Sequence, residues 1–217
     1  MAVEEVGGVM DSKKTTRAQR VELFKELSKK SHYSVHIATV NDISGLGIYQ
    51  ARNLAVEMAG LCLLKKIRSK GYGWPNKQII IDGHFAKKWL LHYESTFTVP
   101  TICMIGGDSK VYEISAASIV AKVYVDMIFD GMARDYPGYR LDKNHGSPDP
   151  EMYEKLRSDG PTPFHRIEGY GKEWWDKIME GEYVDFGEND SRDPGGKSKR
   201  PTQKGLFGEK KDVDDTG

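Results

Sequence analysis

Two carboxylates in this 217-residue chain stand where acids do chemistry. Asp82 closes the run "NKQIIIDG"; in open α/β sheets ligand sites form at the carboxyl ends of strands, and Gly83 lets the backbone turn sharply there. An Asp-Gly pair is equally an ordinary turn signal. Asp126 closes "EISAASIVAKVYVD", where a step of about 100° per residue puts Ser115, Lys122 and Asp126 on one side of a helix. That side borders the apolar face of Ala116, Ile119, Val120 and Val123, so an acid there can lose water and meet another acid. Its plainer reading is an exposed i,i+4 salt bridge between Lys122 and Asp126, worth little. Brought together, the two acids suit hard Mg²⁺ or Mn²⁺, which prefer oxygen ligands. Two-metal phosphodiester cleavage needs more acids than two, because one ion activates water while the other steadies the leaving oxygen. The remaining supply is Glu4, Glu5, Asp108 and Glu113, and only Glu4 and Glu5 are adjacent, as a bridging ligand pair would be.

Helices and strands must position these groups. Residues 15–30 place Val21, Phe24 and Leu27 at helical spacing, with Thr15 or Thr16 as N-cap and Lys29-Lys30 in the last turn. "HYSVHIATV", residues 32–40, carries Val35, Ile37 and Val40 among β-favouring residues and predicts a strand. Residues 47–70 predict a long helix with the stripe Ile48, Ala51, Ala55, Met58 and Cys62, ending before Gly71. The unbroken Ile79-Ile80-Ile81 predicts a strand covered on both faces, and "VPTICMIGGD" a second. Residues 115–134 predict a helix whose small Ala116, Ala117 and Ser118 let it lie close against the sheet, and 152–158 and 174–179 predict two shorter helices. This order predicts an α/β fold, a mixed sheet flanked by helices with a helical carboxyl-terminal part.

The totals bound the rest. One domain over residues 1–180 is expected, followed by a tail, 181–217, too rich in Gly, Asp, Lys and Pro to offset the entropy of ordering. With 32 basic and 32 acidic residues no global field draws the chain to nucleic acid, so a basic binding face must be local. Cys62 and Cys103 read as small buried hydrophobes, which suits a reducing cytosol. No apolar run approaches the ~20 residues of a membrane span, and the start is too acidic for a signal peptide. A cytoplasmic monomer is expected.

"DSKK" before a basic amphipathic helix, "GIYQA", "IIIDG", "GDSKVYEISAASIVAKVYVD", "YPGYRLDKNHGSPD" and "DGPTPFHR" follow one another over residues 9 to about 175. In that order they resemble the type 2 ribonucleases H, the ribonuclease HII family. The resemblance implies an RNase H-like fold and metal-dependent endonucleolytic cleavage of RNA paired with DNA, including single ribonucleotides in duplex DNA. It implies Asp82 and Asp126 as metal ligands, and Glu4-Glu5-Val6-Gly7-Gly8 as the counterpart of an amino-terminal Asp-Glu-x-Gly-Arg-Gly motif. Between that motif and "DSKK" the family places the rest of one strand and all of a second, so the first strands look shortened here. Ser12, Lys13 and Lys14 match a phosphate-contacting motif, with helix capping and solvation as the simpler roles. Lys122, His165 and Arg166 complete the implied substrate contacts, the last two otherwise reading as a packed histidine beside a surface arginine. Ser147 stands where the family carries a junction-reading Tyr. In the tail, Gln203, Leu206 and Phe207 resemble a sliding-clamp-binding peptide, a match that chance also produces. The competing reading is a catalytically impaired hybrid-binding remnant or a fragment lacking its amino-terminal strands.

Overall fold

The computed structural model describes residues 5–9, 12–72, 78–147, 149–166 and 172–181. Helix α1 (Arg17–Lys30) opens on a capping box: the Gln19 N–H donates to the Thr16 hydroxyl at 3.3 Å, and the Thr16 N–H donates to the Gln19 side chain at 2.8 Å. Thr39 and Asp42 build the same device at the start of α2 (Val40–Leu46). That box explains a correction. Residues 32–40, expected as a strand, run irregularly to Thr39 and then enter α2. β-favouring residues gain nothing from extension without a neighbouring strand to pair with, whereas the box satisfies helix-start amides locally. Tyr33 and Val35 pack beside Leu27 instead.

Helix α3 (Ile48–Ser69) forms where its stripe predicts, but turned about its axis. Ile48 is 57% exposed and Cys62, expected inside, is exposed, while Ala51, Asn53 and Leu64 are buried. The cause is Phe97 of α4 (Lys87–Phe97), whose ring lies over Gly60: a Cβ at Gly60 would stand 2.6 Å from Phe97 Cζ. Only a residue without a side chain lets this contact form, and it sets which face of α3 is covered.

Helix α4 is an element the expected order lacks, although Leu90, Tyr93 and Phe97 recur on one face. It connects β1 (Ile79–Asp82) to β2 (Thr101–Met104), which pair in parallel with Ile79 opposite Thr101 and Asp82 opposite Met104. A parallel pair requires such a crossover. Among the described residues the sheet is this pair alone, so the mixed sheet expected from sequence is not what they form.

A 3-10 turn (Gly107–Ser109) leads into α5 (Tyr112–Asp135), followed by α6 (Leu141–Asn144), α7 (Pro150–Asp159) and α8 (Lys172–Met179). α5 is the spine. It packs on α1, α6, β1 and the 3-10 turn Ser12–Lys14. Its Ile119 and Val120 join Val6 and Leu27 in one core cluster, and its Phe129 and Met132 pack against a second made by Tyr139, Leu141, Met152, Tyr153, Leu156, Trp175 and Ile178. The third cluster, Leu64, Ile81, Phe85, Tyr93, Phe97 and Val99, fills the space between α3, α4 and the strands. No helix among the described residues is long and apolar enough to cross a membrane.

Gly60→Ala is expected to lower stability by about 1 to 3 kcal/mol through overpacking. Thermal or urea unfolding checks this, and adding Phe97→Leu should recover part of the loss by giving the new methyl room.

Candidate active site

Asp126 is 3% exposed on α5, and a buried carboxylate must be paired. Arg20 of α1 donates from Nη2 to Asp126 Oδ2 at 3.1 Å, while Lys122 Nζ stands 2.9 Å from Oδ1, one helical turn away. Lys122 approaches Oδ1 electrostatically but off the hydrogen-bonding direction, so this oxygen makes no aligned hydrogen bond within the described structure. Burial pushes the Asp126 carboxyl up, and the close positive charges of Lys122 and Arg20, with the Arg20 hydrogen bond, more than offset it, leaving the group below the ordinary carboxylate range. The i,i+4 contact expected from sequence is present, but its acid is inside the protein rather than on the surface.

Two further connections leave this cluster. Arg20 Nη1 donates to the Thr15 carbonyl at 2.6 Å and the Ser12 carbonyl at 3.1 Å, so one guanidinium ties the "DSKK" turn to α5. The Ser12 and Ser118 hydroxyls add a bond of 2.8 Å. Thr16, not Ser12, caps α1. Lys13 and Lys14 are exposed beside this anchored turn. On the other side, Lys122 Nζ lies 2.9 Å from His145 Nδ1, and the His145 ring stacks on Phe129 at 5.2 Å. His145 adopts the left-handed conformation at φ 49°, which costs a side-chain-bearing residue energy. Burial and Lys122 both lower its pKa, and Asp126 raises it in part.

Asp82 lies elsewhere. It is exposed at the end of β1, and its Oδ1 accepts the Gly107 N–H at 2.8 Å. A Cβ on Gly107 would stand 2.4 Å from Ile114 Cδ1 and 3.4 Å from Asp82 Oδ1, so glycine is what lets this amide reach the carboxylate. Ile114 is in the first turn of α5 and Asp126 twelve residues further along, which at ~1.5 Å per residue is roughly 18 Å of helix. Asp82 and Asp126, paired in the sequence reading, have different partners among the described residues: Asp82 meets the Gly107 amide, and Asp126 meets Arg20 and Lys122.

Asp108 is the acid the fold brings toward Asp82. It directly follows the glycine whose amide holds Asp82, it is partly buried, and its carbonyl accepts the Ser115 hydroxyl at 2.5 Å. Glu5 is exposed, and the neighbouring Val6 N–H donates to the Tyr112 hydroxyl at 2.7 Å, which sets that segment against the first half of α5. Glu4 lies outside the described residues, as does the clamp-like run Gln203, Leu206 and Phe207. The donors here are carboxylates, the chemistry a hard divalent cation prefers. No three acidic, histidine or cysteine side chains among the described residues are close enough to enclose an ion as they stand. His165 receives the Thr162 N–H at Nδ1 (3.1 Å) and lies 5.5 Å from the Tyr139 ring; burial lowers its pKa. With Arg166 next to it, it belongs to the carboxyl-terminal lobe rather than to the Asp126 cluster.

Sequence reading passed over Arg20, His145 and Gly107. The strand-end logic that selects Asp82 also selects Asp108, so that signal was available; Arg20 had none, since its partners become neighbours only when α1 crosses α5.

Comparison with known proteins decides the family, because the profile of the family described as Ribonuclease HII matches residues 4–174. The chain belongs to the ribonuclease HII family. The Ribonuclease HII of Zymomonas mobilis is 36% identical over 159 residues, covering 73% of this chain and 68% of the relative. That of Prochlorococcus marinus is 36% identical over 161 residues, covering 73% and 69%. Among solved structures, the ribonuclease H2 from Pyrococcus horikoshii OT3 superposes with a TM-score of 0.58 at 24% identity, covering 80% of this chain and 81% of that one. The RNase HII in a PCNA:RNase HII complex from Archaeoglobus fulgidus gives 0.57 at 19%, covering 82% of each. These two likenesses establish a ribonuclease HII-like fold.

Because the Asp126 carboxyl is depressed in the folded chain, the folded state binds its proton less readily than the unfolded state, and acid favours unfolding. The stabilisation is present above the unfolded value near 4 and fades as pH falls through the lower folded value. Asp126→Asn is expected to cost up to about 3 kcal/mol at pH 7, by leaving Arg20 and Lys122 uncompensated. Denaturant unfolding at a series of pH values should show wild type and variant converging below pH ~4.

Proposed function

We propose that this chain is a divalent-metal-dependent endoribonuclease that cuts the RNA strand of RNA/DNA hybrids, including ribonucleotides embedded in duplex DNA. Family membership supports the reaction class, and one observation carries the site: Asp82, at the end of β1, is hydrogen-bonded to the residue preceding Asp108. Asp82, Asp108 and Glu5, with Glu4, would hold Mg²⁺ or Mn²⁺. Bound there, the metal supplies an activated water and charge stabilisation at the leaving oxygen. The chain's own contributions are positional. The Gly107 amide fixes one oxygen of Asp82, and the anchored turn presents Lys13 and Lys14 to the phosphate backbone. The 2′-OH distinguishes RNA from DNA. Asp126 serves in this reading as the ionic anchor of the turn and not as a ligand.

A second reading, a hybrid-binding protein that does not cut, is favoured by the atypical start, in which Glu4 stands where the family has Asp. The added methylene displaces a carboxylate that Mg²⁺ needs in near-ideal geometry. We also propose that residues 181–217 form a tail separate from the domain over 1–180, and that Gln203, Leu206 and Phe207 in it tether the enzyme to a sliding clamp, raising its local concentration on replicating DNA.

The deciding measurement is cleavage of an end-labelled RNA/DNA hybrid with Mg²⁺ or Mn²⁺ present. Asp82→Asn and Asp108→Asn should each reduce the rate by about 100-fold or more. Asp126→Asn, assayed at a temperature where it is folded, should stay within about tenfold of wild type. Hybrid binding without any metal-dependent cut favours the second reading, and loss of cleavage in Asp126→Asn with none in Asp108→Asn overturns the site assignment.

A further inference from the structure

Arg20 meets three oxygens through its two terminal nitrogens. Its Nη2 meets Asp126 Oδ2 on α5 at 3.1 Å, and its Nη1 meets the Thr15 and Ser12 carbonyls at 2.6 and 3.1 Å. Its side chain is only 12% exposed, so these bonds form away from competing water. The carbonyls belong to the turn that carries Lys13 and Lys14 and to the residue that ends it, so Arg20 joins this turn to α5 in addition to its packing on that helix. The turn's other attachments include the Ser12–Ser118 bond and the Thr15 hydroxyl, which donates back to the Ser12 carbonyl at 2.8 Å.

We propose that Arg20 is a positioning residue for nucleic-acid binding: it clamps the Ser12–Lys14 turn to the α5 carboxylate, so that Lys13 and Lys14 meet a phosphate backbone already ordered. The inference rests on the ribonuclease reading for its substrate, but the clamp itself is a property of the free protein. The planar guanidinium is what makes it work. One edge takes the carboxylate while the other takes two backbone oxygens, a division that a lysine ammonium on a flexible stem does not reproduce. Ordering the turn in advance removes a cost that binding would otherwise bear. The effect belongs in substrate affinity and not in the chemical step.

The test uses the full chain with Arg20→Lys, which keeps the charge facing Asp126, and a Lys13→Ala/Lys14→Ala variant. Amide hydrogen exchange of the free protein should show residues 12–15 exchanging at least about tenfold faster in Arg20→Lys, with α5 unchanged. Steady-state cleavage should show KM for the hybrid raised about tenfold and kcat within about twofold. The slope of log affinity against log salt should shrink by about one to two, matching the double lysine variant, and the two changes combined should be less than additive. Unchanged exchange at residues 12–15 overturns the clamp, whatever the substrate proves to be. Faster exchange with KM unmoved, or with effects that add to those of the lysine variant, overturns the role in binding. If wild type neither binds nor cuts hybrid, the ribonuclease reading fails while the exchange result still decides the clamp. Should Arg20→Lys fail to fold, Arg20→Gln, which retains donors for the carbonyls without charge, takes its place with the same criteria.

Discussion

A carboxylate taken out of water must be answered by positive charge, and in this chain that demand organises everything around α5. Asp126 is buried because its helix is covered by α1 on one side and by the segment after α6 on the other. Two cations neutralise it, Arg20 from α1 and Lys122 from α5 itself, and the His145 ring stands against both Lys122 and Asp126. Each cation carries something with it. Arg20 brings the "DSKK" turn, and Lys122 draws His145 into a strained backbone conformation against Phe129. A single ion cluster thus touches two loops, each of which also has bonds of its own: Ser12 to Ser118 in one, Asn144 to Tyr139 and Gly146 in the other.

The strand-end acids obey a different constraint. Asp82 and Asp108 follow β1 and β2, whose parallel pairing sends both carboxyl ends to the same edge of the sheet. Topology places both at one edge, and the Gly107 amide, next to Asp108 in the chain, bonds to Asp82. Structure and electrostatics are divided between two stretches of one helix. The middle of α5 carries the compensated charge of Asp126, and its start lies beside the strand-end acids.

Much of this was legible in the chain itself. α1, α3, the two strands and α5 follow from periodicity and from the isoleucine run, and the family follows from ordered motifs. Asp126 was only half read, because sequence places a residue on a helix face without saying which side chain of another helix, here Arg20, meets it. Residues 32–40 misled because β-propensity describes fitness for a sheet and says nothing of whether a partner strand is at hand. Cys62 misled because the covered face of α3 was chosen by an aromatic ring on another helix settling over Gly60. In each case the missing information was a contact between segments distant in sequence.

Because hydrophobic contacts are gathered into three separate clusters, cooperativity has to travel through shared elements and not through one continuous interior. Among the described residues two of the clusters share α5, whose Phe129 and Met132 pack on the carboxyl-terminal group and whose Ile119 and Val120 belong to the amino-terminal one. Such a layout favours opening of α7 and α8 as a subunit of the native state, ahead of the parallel strands. The histidine-arginine pair lies just beyond α7, beside Tyr139 of the same cluster.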